Sequence, residues 1–386
     1  MVPDMDNQQA IIIGAGIGGL TAAIALKQVG FQAIVFERAP EILEVGAGIS
    51  LWPNALQALD RLGLAEKVKA IGEPFGGGTL RTWKGDFLMK SLFSPEQWVT
   101  RYGSAGVCVL RAELQRLLLD ALDADTIQLG KTCTGYRQAE SGVIAQFEGN
   151  IETPCDLLLG ADGLRSVVRT QMLGESPLRY SGYTAWRGVA PYALSQAGAS
   201  ESWGRGTRFG LVPLSQGRTY WFATQNAPEG QLCRPEDRKR VVMELFRGWH
   251  DPIQAVLNAT PNTAVLQNDI YDRPPVASWS RGCVTLLGDA AHPMTPNLGQ
   301  GGCQAIEDAV ILAGLLKSSP DIPSALQTYE ARRIPRTSRL VDQSWRFGQI
   351  GQWENALACG LRNRLFQLTS AANMTKQLDP ILRFEG

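Results

Sequence analysis

A glycine-rich turn near the N-terminus constrains the fold of this chain more than any other feature. Residues 10–13 form a short β-branched run, which is typical of a buried parallel strand. Gly14, Gly16 and Gly19 follow in the spacing GxGxxG, and residues 20–29 have the pattern of a helix. Gly14 permits a tight turn, Gly16 lets a pyrophosphate approach the backbone, and Gly19 lets the helix pack closely on the strand. The segment therefore predicts an anion site at the start of a helix.

A second apolar run completes this unit. Residues 33–36 follow the helix and end in Glu37, which lies 23 residues after Gly14. In dinucleotide-binding folds, an acid about 20 residues after the first glycine accepts hydrogen bonds from ribose hydroxyls. The strand, turn, helix, strand and acid together predict a dinucleotide site, and they leave FAD and NAD as alternatives.

The composition narrows the class of protein. A chain of 386 residues exceeds one ordinary domain, so we expect two. Lys plus Arg and Asp plus Glu each number 37, so no nucleic-acid partner is expected. Seven cysteines without a CxxC pair and only two histidines predict neither a disulfide framework nor a metal site. The uncharged stretch 8–26 lacks the basic start of a signal peptide, and we expect a cytoplasmic protein.

Two further apolar runs end in glycine and aspartate. Residues 156–160 lead into a turn with Asp162, and residues 284–287 lead into Asp289. Ordinary strand-to-loop exits also contain these residue types, because they suit turn geometry. The second run is followed by the glycine-rich stretch 296–302 and a predicted helix. Uncovered amides at such a helix start attract negative charge, for example that of a reduced flavin.

The three motifs, GxGxxG, GADG and GDAAHPMTPNLGQGG, occur in an order that resembles the class A flavoprotein monooxygenases, the para-hydroxybenzoate hydroxylase family. The resemblance covers nearly the whole chain and implies that one FAD is held by all three sites. It implies that Asp289 meets the ribityl chain and that Arg111 lies near the FAD phosphates; the alternative for Arg111 is a surface cation at a helix start. The residues assigned to FAD are Gly14, Gly16, Gly19, Glu37, Arg38, Gly48, Arg111, Asp162, Asp289, Pro296, Gly299, Gly301 and Gly302.

The resemblance also suggests substrate residues. Residues 181–188, 245–249 and 269–273 are similar to zeaxanthin epoxidases, and the chain is similar to bacterial urate and salicylate hydroxylases as well. Arg208 and Tyr220 match positions that urate hydroxylases use for their substrate. The residues assigned to catalysis are Arg208, Tyr220 and Pro296.

The sequence contains only one dinucleotide-binding fingerprint. We therefore expect NAD(P)H to bind transiently near the flavin, without a second Rossmann domain dedicated to it. The resemblance implies that the reduced FAD reacts with molecular oxygen to give a C4a-hydroperoxide, which hydroxylates an aromatic or heteroaromatic small molecule. The alternatives are a carotenoid-type epoxidase with a polyene-like substrate, an FAD-dependent dehydrogenase without oxygen insertion, and an idle FAD-binding partner protein. Because the cofactor carries the difficult step, no catalytic triad or carboxylate pair is needed.

The middle of the chain is expected to build the substrate pocket. The alternation through residues 218–224 predicts an antiparallel strand, and its aromatic residues suit either a plain core or a pocket wall. Arg208 and Tyr220 are the polar side chains expected to bind the substrate, and Arg187 is a further candidate. His292 is expected to be a structural residue beside the turn, with a general base as the alternative.

Together these features predict an α/β fold. It combines an FAD-binding Rossmann-like domain of the glutathione-reductase type with an inserted, mostly antiparallel β-sheet substrate domain and a C-terminal helix. The FAD-binding domain is expected at residues 1–75, 100–175 and 270–340. The substrate domain is expected at 76–99 and 176–269, and a C-terminal helical segment at 341–386.

The C-terminal segment contains a repeated apolar pattern. The spacing predicts an amphipathic helix, and its apolar residues are Trp353, Leu357, Leu361, Leu365 and Leu368. We expect this face to pack on the FAD-binding domain, and a membrane-surface or dimer contact is the alternative in a monomer or homodimer. A preceding arginine cluster is expected to be a solvated face, and it consists of Arg332, Arg333, Arg336 and Arg339.

Overall fold

A computed structural model describes residues 8–42, 47–90, 94–195, 198–369 and 371–384. The strands are β1 Gln9–Ile13, β2 Gln32–Phe36, β3 Gly48–Leu51, β4 Glu73–Phe75, β5 Gly78–Thr82, β6 Phe87–Met89, β7 Gly106–Leu110, β8 Ile127–Gln128, β9 Cys133–Gln138, β10 Val143–Phe147, β11 Ile151–Cys155, β12 Leu157–Gly160, β13 Arg179–Ala190, β14 Ala199–Trp203, β15 Thr207–Leu214, β16 Arg218–Asn226, β17 Leu266–Asp272, β18 Ser280–Arg281 and β19 Val284–Leu286. The helices are α1 Ile17–Gln28, α2 Pro53–Arg61, α3 Ala65–Ile71, α4 Pro95–Tyr102, α5 Arg111–Asp120, α6 Val167–Leu173, α7 Arg238–Leu245, α8 Ile253–Ala259, α9 Gly301–Ser318, α10 Ile322–Gly351, α11 Ala356–Leu368 and α12 Ala371–Leu382.

A six-stranded sheet forms the centre of the larger core. Its strand order is β18-β19-β12-β1-β2-β8, and all its pairs are parallel except β18 with β19. Ile12 lies between Val35 and Leu159 in the register. Helices α1 and α9 pack together beside this sheet, and the three-stranded sheet β11-β10-β9 joins the same core. Coverage of both faces explains why β1 and β12 are continuous apolar runs.

A seven-stranded sheet forms the second layer of the molecule. Its order is β17-β13-β16-β15-β14-β5-β6, and only the pair β14 with β5 is parallel. Side chains alternate between its two faces. One face carries Trp186, Phe209 and Trp221, which are buried in a core with residues of α7 and α8. The opposite face, which we call the pocket face, carries Arg187, Arg208, Tyr220 and Phe222.

A small sheet of order β3-β7-β4 joins the two larger layers. Phe75 and Cys108 pack with Val212 and Leu214 of β15 in one apolar cluster. The pocket face of the large sheet is therefore covered at one end by this small sheet.

Three of the expected domain limits fall inside continuous elements. Helix α4 spans the limit at residues 99 and 100, strand β17 continues past residue 270, and helix α10 continues past residue 340. The division of the chain into domains stays a prediction. Within the ranges that the structure describes, no helix combines the length and apolar character needed to cross a membrane.

The expected packing of the C-terminal leucines is wrong. The helix is present as α11, but its leucines are exposed by 85% at Leu357, 60% at Leu361, 57% at Leu365 and 66% at Leu368. The opposite side of α11 packs on the protein. Phe366 meets the ring of Trp203 at 5.2 Å between centroids, and the guanidinium of Arg362 donates to the Gly351 carbonyl at 3.1 Å.

The expected exposure of the arginine cluster is wrong for two of its members. Arg333 and Arg336 of α10 are buried, because Glu307 and Asp308 of α9 lie opposite them. Arg333 pairs with both carboxylates, at 2.7 Å to Glu307 and 2.6 Å to Asp308. The two helices are thus joined by a buried ion-pair network.

Candidate active site

The glycine turn has the geometry that its spacing predicts. Gly14 has φ +106°, and a Cβ added there would lie 2.6 Å from the carbonyl oxygen of Ala161. A Cβ at Gly19 would collide with the carbonyl oxygen of Gly14. Gly16, in contrast, faces open space, with no atom within 4 Å of an added Cβ. Gly14 and Gly19 are therefore required by the protein itself, whereas Gly16 leaves room for a ligand at the start of α1.

Glu37 lies at the end of β2 and braces this turn. Its carboxylate accepts hydrogen bonds from the amides of Ala15 and Ala39, both at 2.9 Å. Each carboxylate oxygen has a second lone pair, so Glu37 can also accept from ribose hydroxyls. Arg38 follows it as an exposed side chain. The start of α1 has no side-chain cap, which leaves its first amides available to a phosphate.

Asp289 and Arg111 face each other across the same cleft. Asp289 follows β19 and is exposed to the cleft, with its Oδ1 3.8 Å from a Cβ added at Gly301. Desolvation by the protein atoms around this part of the cleft raises the pKa of the Asp289 carboxyl, and the charges of His292 and Arg111 oppose this rise. Arg111 begins α5, and its amide donates to the carbonyl of Ala47 at 2.8 Å. A cation and an acceptor thus border one cleft.

A short turn brings the glycine-rich stretch to the start of α9. Residues Pro296–Leu298 form one 3₁₀ turn, and Pro296 is exposed. Gly299 has φ +64°, a conformation that favours glycine. The first amides of α9 have no side-chain cap, so this helix end also suits an anion. A Cβ at Gly302 would lie 2.7 Å from Ile49, which places β3 against the same turn.

A buried network fixes this turn from behind. Asp308 of α9 accepts from the amide of Gly288 at 3.0 Å and contacts Nε2 of His292 at 2.6 Å. Burial alone would raise the pKa of Asp308, but His292 and Arg333 outweigh it and lower the pKa to about 2. His292 is buried and engaged with Asp308, as expected for a structural residue.

Asp162 has a structural role at the start of α6. Its Oδ2 accepts from the amides of Val167 and Val168 at the start of α6, at 2.8 and 3.4 Å. Burial raises the pKa of this carboxyl against those hydrogen bonds. Its Oδ1 is buried and has no partner among the described residues. Contact of Asp162 with FAD or NAD(P)H stays a prediction.

Arg208 is occupied by other side chains. Its guanidinium donates to Asn297 Oδ1 at 2.7 Å and to Gln352 Oε1 at 2.8 Å. It also pairs with Glu201 at 3.3 Å, and its side chain is buried. Arg208 lies opposite Thr224 in the register, so Phe222 separates it from Tyr220 along the pocket face. The two expected substrate residues therefore lie on either side of Phe222 on this face, and the role of Arg208 at a substrate stays a prediction.

Tyr220 lies at the other end of the pocket face. A Cβ at Gly48 would lie 2.6 Å from its ring, so glycine at 48 lets β3 approach Tyr220 closely. Tyr220 lies opposite Val189 on β13, and its diagonal neighbour on the same face is Arg187. Burial raises the pKa of the Tyr220 hydroxyl, and the Arg187 charge partly offsets this rise.

Sequence reasoning missed the residues that engage Arg208. Asn297 is a polar residue within the glycine-rich stretch 296–302, and its place in that motif is the sequence feature that could have marked it as a site residue. Gln352 gave no signal, because it lies 144 residues from Arg208 in the chain. Such a contact exists only after α10 has packed beside the large sheet.

The open features of the cleft fit a dinucleotide with a flavin. Gly16 leaves space at one helix start, and both α1 and α9 begin without side-chain caps. Near the second helix start, Trp52 Nε1 and Gln300 Nε2 are buried donors without partners among the described residues. These donors suit the carbonyl and ring-nitrogen acceptors of an isoalloxazine.

Comparisons with known proteins agree with this geometry. The family described as FAD binding domain matches residues 7–344. The aurachin C monooxygenase/isomerase of Stigmatella aurantiaca is 44% identical over 376 residues, which cover 97% of each chain. The FAD-dependent urate hydroxylase of Klebsiella pneumoniae subsp. pneumoniae is 39% identical over 339 residues, which cover 86% of this chain and 88% of the relative. The crystal structure of Klebsiella pneumoniae HpxO complexed with FAD and uric acid superposes with a TM-score of 0.90, at 34% identity, and covers 97% of each chain.

The fold and the site together define an FAD-dependent monooxygenase. The chain belongs to the FAD binding domain family, and FAD is its cofactor. The predicted resemblance, the α/β fold and the monooxygenase activity are confirmed by these comparisons. A monooxygenase also consumes molecular oxygen and NAD(P)H.

Proposed function

We propose that this protein hydroxylates an aromatic or heteroaromatic small molecule. The observation that carries this proposal is the position of the pocket face. Strand β3 contacts Tyr220 of that face through Gly48 and contacts the start of α9 through Ile49. The substrate surface and the expected flavin surface thus border the same space. The urate hydroxylase name of one relative and the uric acid in the HpxO structure support a ring of this kind.

The pocket face offers an apolar surface with few polar groups. The ring of Phe222 packs directly on Gly210, where an added Cβ would collide with it. The ring therefore provides a flat apolar surface on this face. Tyr220 and Arg187 border this surface. Ligand sites of small molecules usually combine such an apolar wall with a few placed polar groups. A planar ring stacked on Phe222 would be held within reach of both.

When bound, FAD supplies the redox chemistry, taking electrons from NAD(P)H and activating oxygen for transfer to the substrate. The chain contributes binding and electrostatics. The uncapped amides at the start of α9 would stabilise negative charge on the ring system. Asp289 would accept from a ribityl hydroxyl, and Arg111 would bind phosphate oxygens.

The pocket residues orient the substrate and exclude water. The raised pKa keeps the Tyr220 hydroxyl protonated at neutral pH, so it can donate a hydrogen bond to a substrate oxygen. The cluster of Phe75, Cys108 and Leu214 closes one end of the pocket face to solvent. Exclusion of water strengthens the polar interactions at the reacting ring.

The purified holoenzyme tests this proposal. It would be incubated with NAD(P)H and a panel of phenols, purines, quinolines and carotenoids while oxygen uptake is recorded, and the products would be identified by mass spectrometry. We expect a ring compound to stimulate oxygen uptake and to gain a hydroxyl group. A carotenoid epoxide as the sole product would instead support the epoxidase alternative. NAD(P)H oxidation without oxygen in any product would favour the dehydrogenase.

A further inference from the structure

A buried carboxylate joins three helices of the larger core. Glu307 of α9 is fully buried and accepts five hydrogen bonds. Its cationic donors come from α10, Arg333 at 2.7 Å and Arg336 at 2.9 and 3.0 Å. Its amide donors are Asn54 of α2 at 2.5 Å and Gln304 of α9 at 3.1 Å. An ionised carboxylate can only accept, so these two side chains meet it with their amide nitrogens.

This assignment fixes the direction of the Gln300 carboxamide. The side-chain nitrogens of Asn54 and Gln304 also donate to Gln300 Oε1, each at 3.0 Å. A reversed carboxamide would instead place Gln300 Nε2 against these two donors. Oε1 therefore faces the two amides, and Nε2 lies at the other end of the carboxamide. Gln300 is buried next to the start of α9, and its Nε2 has no partner among the described residues.

Arg336 also contacts the C-terminal segment, by which we mean residues 379–384. Its guanidinium donates to three carbonyls there at 2.6–3.0 Å, those of Pro380, Ile381 and Arg383. The last carbonyls of a helix have no partner within it, and a cation is favourable at that end. One guanidinium thus binds both the end of α12 and the carboxylate of Glu307.

The C-terminal segment docks on α4 through a small contact. Asp379 pairs with Arg101 at 2.7 Å and accepts from the Tyr102 hydroxyl at 2.8 Å. Leu382 packs in a cluster with Trp98 and Tyr102, and among the side chains described within 373–384 only that of Leu382 is buried. A segment with so little burial can open locally while the core stays folded.

We propose that Arg336 couples the docking of the C-terminal segment to FAD binding, because it holds Glu307 and, through Glu307, the Gln300 carboxamide that presents Nε2 to the flavin. Arg336 is a positioning residue in this role. A donor that is already held in direction loses less conformational freedom when FAD binds. The inference concerns the cofactor and does not depend on the identity of the substrate.

Hydrogen exchange of the full-length protein tests this coupling without turnover. If docking of the segment raises the affinity for FAD, FAD must stabilise docking by the same factor. We expect the amides of residues 373–384 to exchange ~3- to 10-fold more slowly in the holoenzyme than in the apoenzyme, which is the effect of about one hydrogen bond. Mass spectrometry of peptic peptides measures the rates. Equal rates in the two forms would overturn the inference.

Variants assign the coupling to the proposed path. At saturating FAD, Arg336→Met and Gln300→Leu should each remove the effect of FAD on exchange, and a purely structural role of Arg336 would not extend to Gln300. The control is Arg332→Met, on an exposed arginine of the same helix, which should retain the effect. An effect that persists in Arg336→Met would mean that the coupling uses other contacts, such as Trp52 beside the Leu382 cluster, and would refute the inference.

Flavin absorbance shows which variants fold and bind FAD. If Arg336→Met does not fold, the combined variant Asp379→Ala with Leu382→Ala undocks the segment and leaves the contacts of Glu307 in place. Fluorescence titration should show that this variant binds FAD ~3- to 10-fold more weakly than the wild type. Added to Gln300→Leu, the same two substitutions should weaken FAD binding no further, because they act through one path. Wild-type affinity in the combined variant, or additive losses, would contradict the proposal.

Discussion

At the scale of single residues, identical side chains differ in role according to their partners. Arg333 is fully buried and pairs with two carboxylates, and Arg208 is buried among polar side chains. Arg187 is half-buried on the pocket face and has no hydrogen-bond partner within the ranges that the structure describes. The glycines differ in the same way. Gly14 is required by the backbone of the turn, whereas an added Cβ at Gly16 meets open space at the start of α1.

This difference makes Gly16→Ala a specific test of the cofactor site. Gly16 has φ −71° and ψ 175°, which any residue adopts, and an added Cβ meets no protein atom. We expect the apoprotein to melt at the wild-type temperature while the Kd for FAD rises at least ~10-fold, because the methyl group blocks the pyrophosphate. Calorimetry and fluorescence titration with FAD would measure both.

The control for this variant is Gly314→Ala, also a glycine with open space around it but in the interior of α9. It should leave the FAD affinity unchanged and stabilise the protein by up to ~1 kcal/mol through helix propensity. Equal FAD affinity in Gly16→Ala and wild type would show that no phosphate passes this turn.

The buried carboxylate Asp308 predicts a pH dependence of stability. Its pKa is lowered from 3.8 to about 2 in the folded protein. A lowered folded-state pKa means that the stabilisation is complete above about pH 4 and is lost as the pH falls toward 2. Asp308→Asn should cost ~3 kcal/mol at pH 7, because it leaves His292 without its carboxylate partner and Arg333 with Glu307 as its one remaining carboxylate.

Urea denaturation of both proteins between pH 7 and pH 2 would measure this effect. The difference in the free energy of unfolding should be constant down to about pH 4 and should shrink below it. A difference that stays constant to pH 2 would contradict the assignment of the charged form to Asp308.

At the scale of elements, the sequence predicts whether a segment forms a helix or a strand better than it predicts which of its side chains are buried. The spacing of the C-terminal leucines correctly predicts helix α11 but not which side is buried. Cys359, Arg362 and Phe366 follow a helical spacing too, and they form the packed side. The exposure predicted for Arg333 failed for the same reason, since its partners lie on another helix, 25 and 26 residues earlier in the chain.

The packing of α11 is testable by truncating one residue on each side. Leu361→Ala should change the free energy of unfolding by less than ~0.5 kcal/mol, because its side chain is already exposed. Phe366→Ala should cost ~2–4 kcal/mol, because its ring packs on Trp203 and Phe347. Chemical denaturation measures both. A larger cost for Leu361→Ala than for Phe366→Ala would mean that the leucine side is the packed one.

At the scale of the whole molecule, the residues proposed for the site come from separate layers of the fold. The parallel sheet supplies the glycine turn and Asp289, the small sheet supplies Gly48, and the large sheet supplies Tyr220 and Arg187. Local motifs predicted the parts of the site that one segment builds, such as the turn after β1. Two of the three partners of Arg208, Asn297 and Gln352, come from distant segments of the chain and could not be predicted from any local pattern.

A ligand that binds only the folded molecule stabilises it by an amount that rises with the logarithm of the free ligand concentration. Raising free FAD to 100 times its Kd should increase the free energy of unfolding by ~2.7 kcal/mol, because FAD binds the folded state. The melting temperature of the apoenzyme, recorded during an FAD titration, measures this increase. Gly16→Ala should require correspondingly higher FAD for the same shift, and a melting temperature independent of FAD would contradict binding to the folded protein.

Isotope labelling of molecular oxygen tests most directly whether the enzyme inserts one atom of O₂ into its substrate. The holoenzyme would be supplied with NAD(P)H, ¹⁸O₂ and the ring compound that stimulates oxygen uptake, and the product would be weighed by mass spectrometry. We expect one ¹⁸O atom in the hydroxyl group of each product molecule. A product whose new oxygen comes from water, or NAD(P)H oxidation that leaves every ring compound unlabelled, would contradict it.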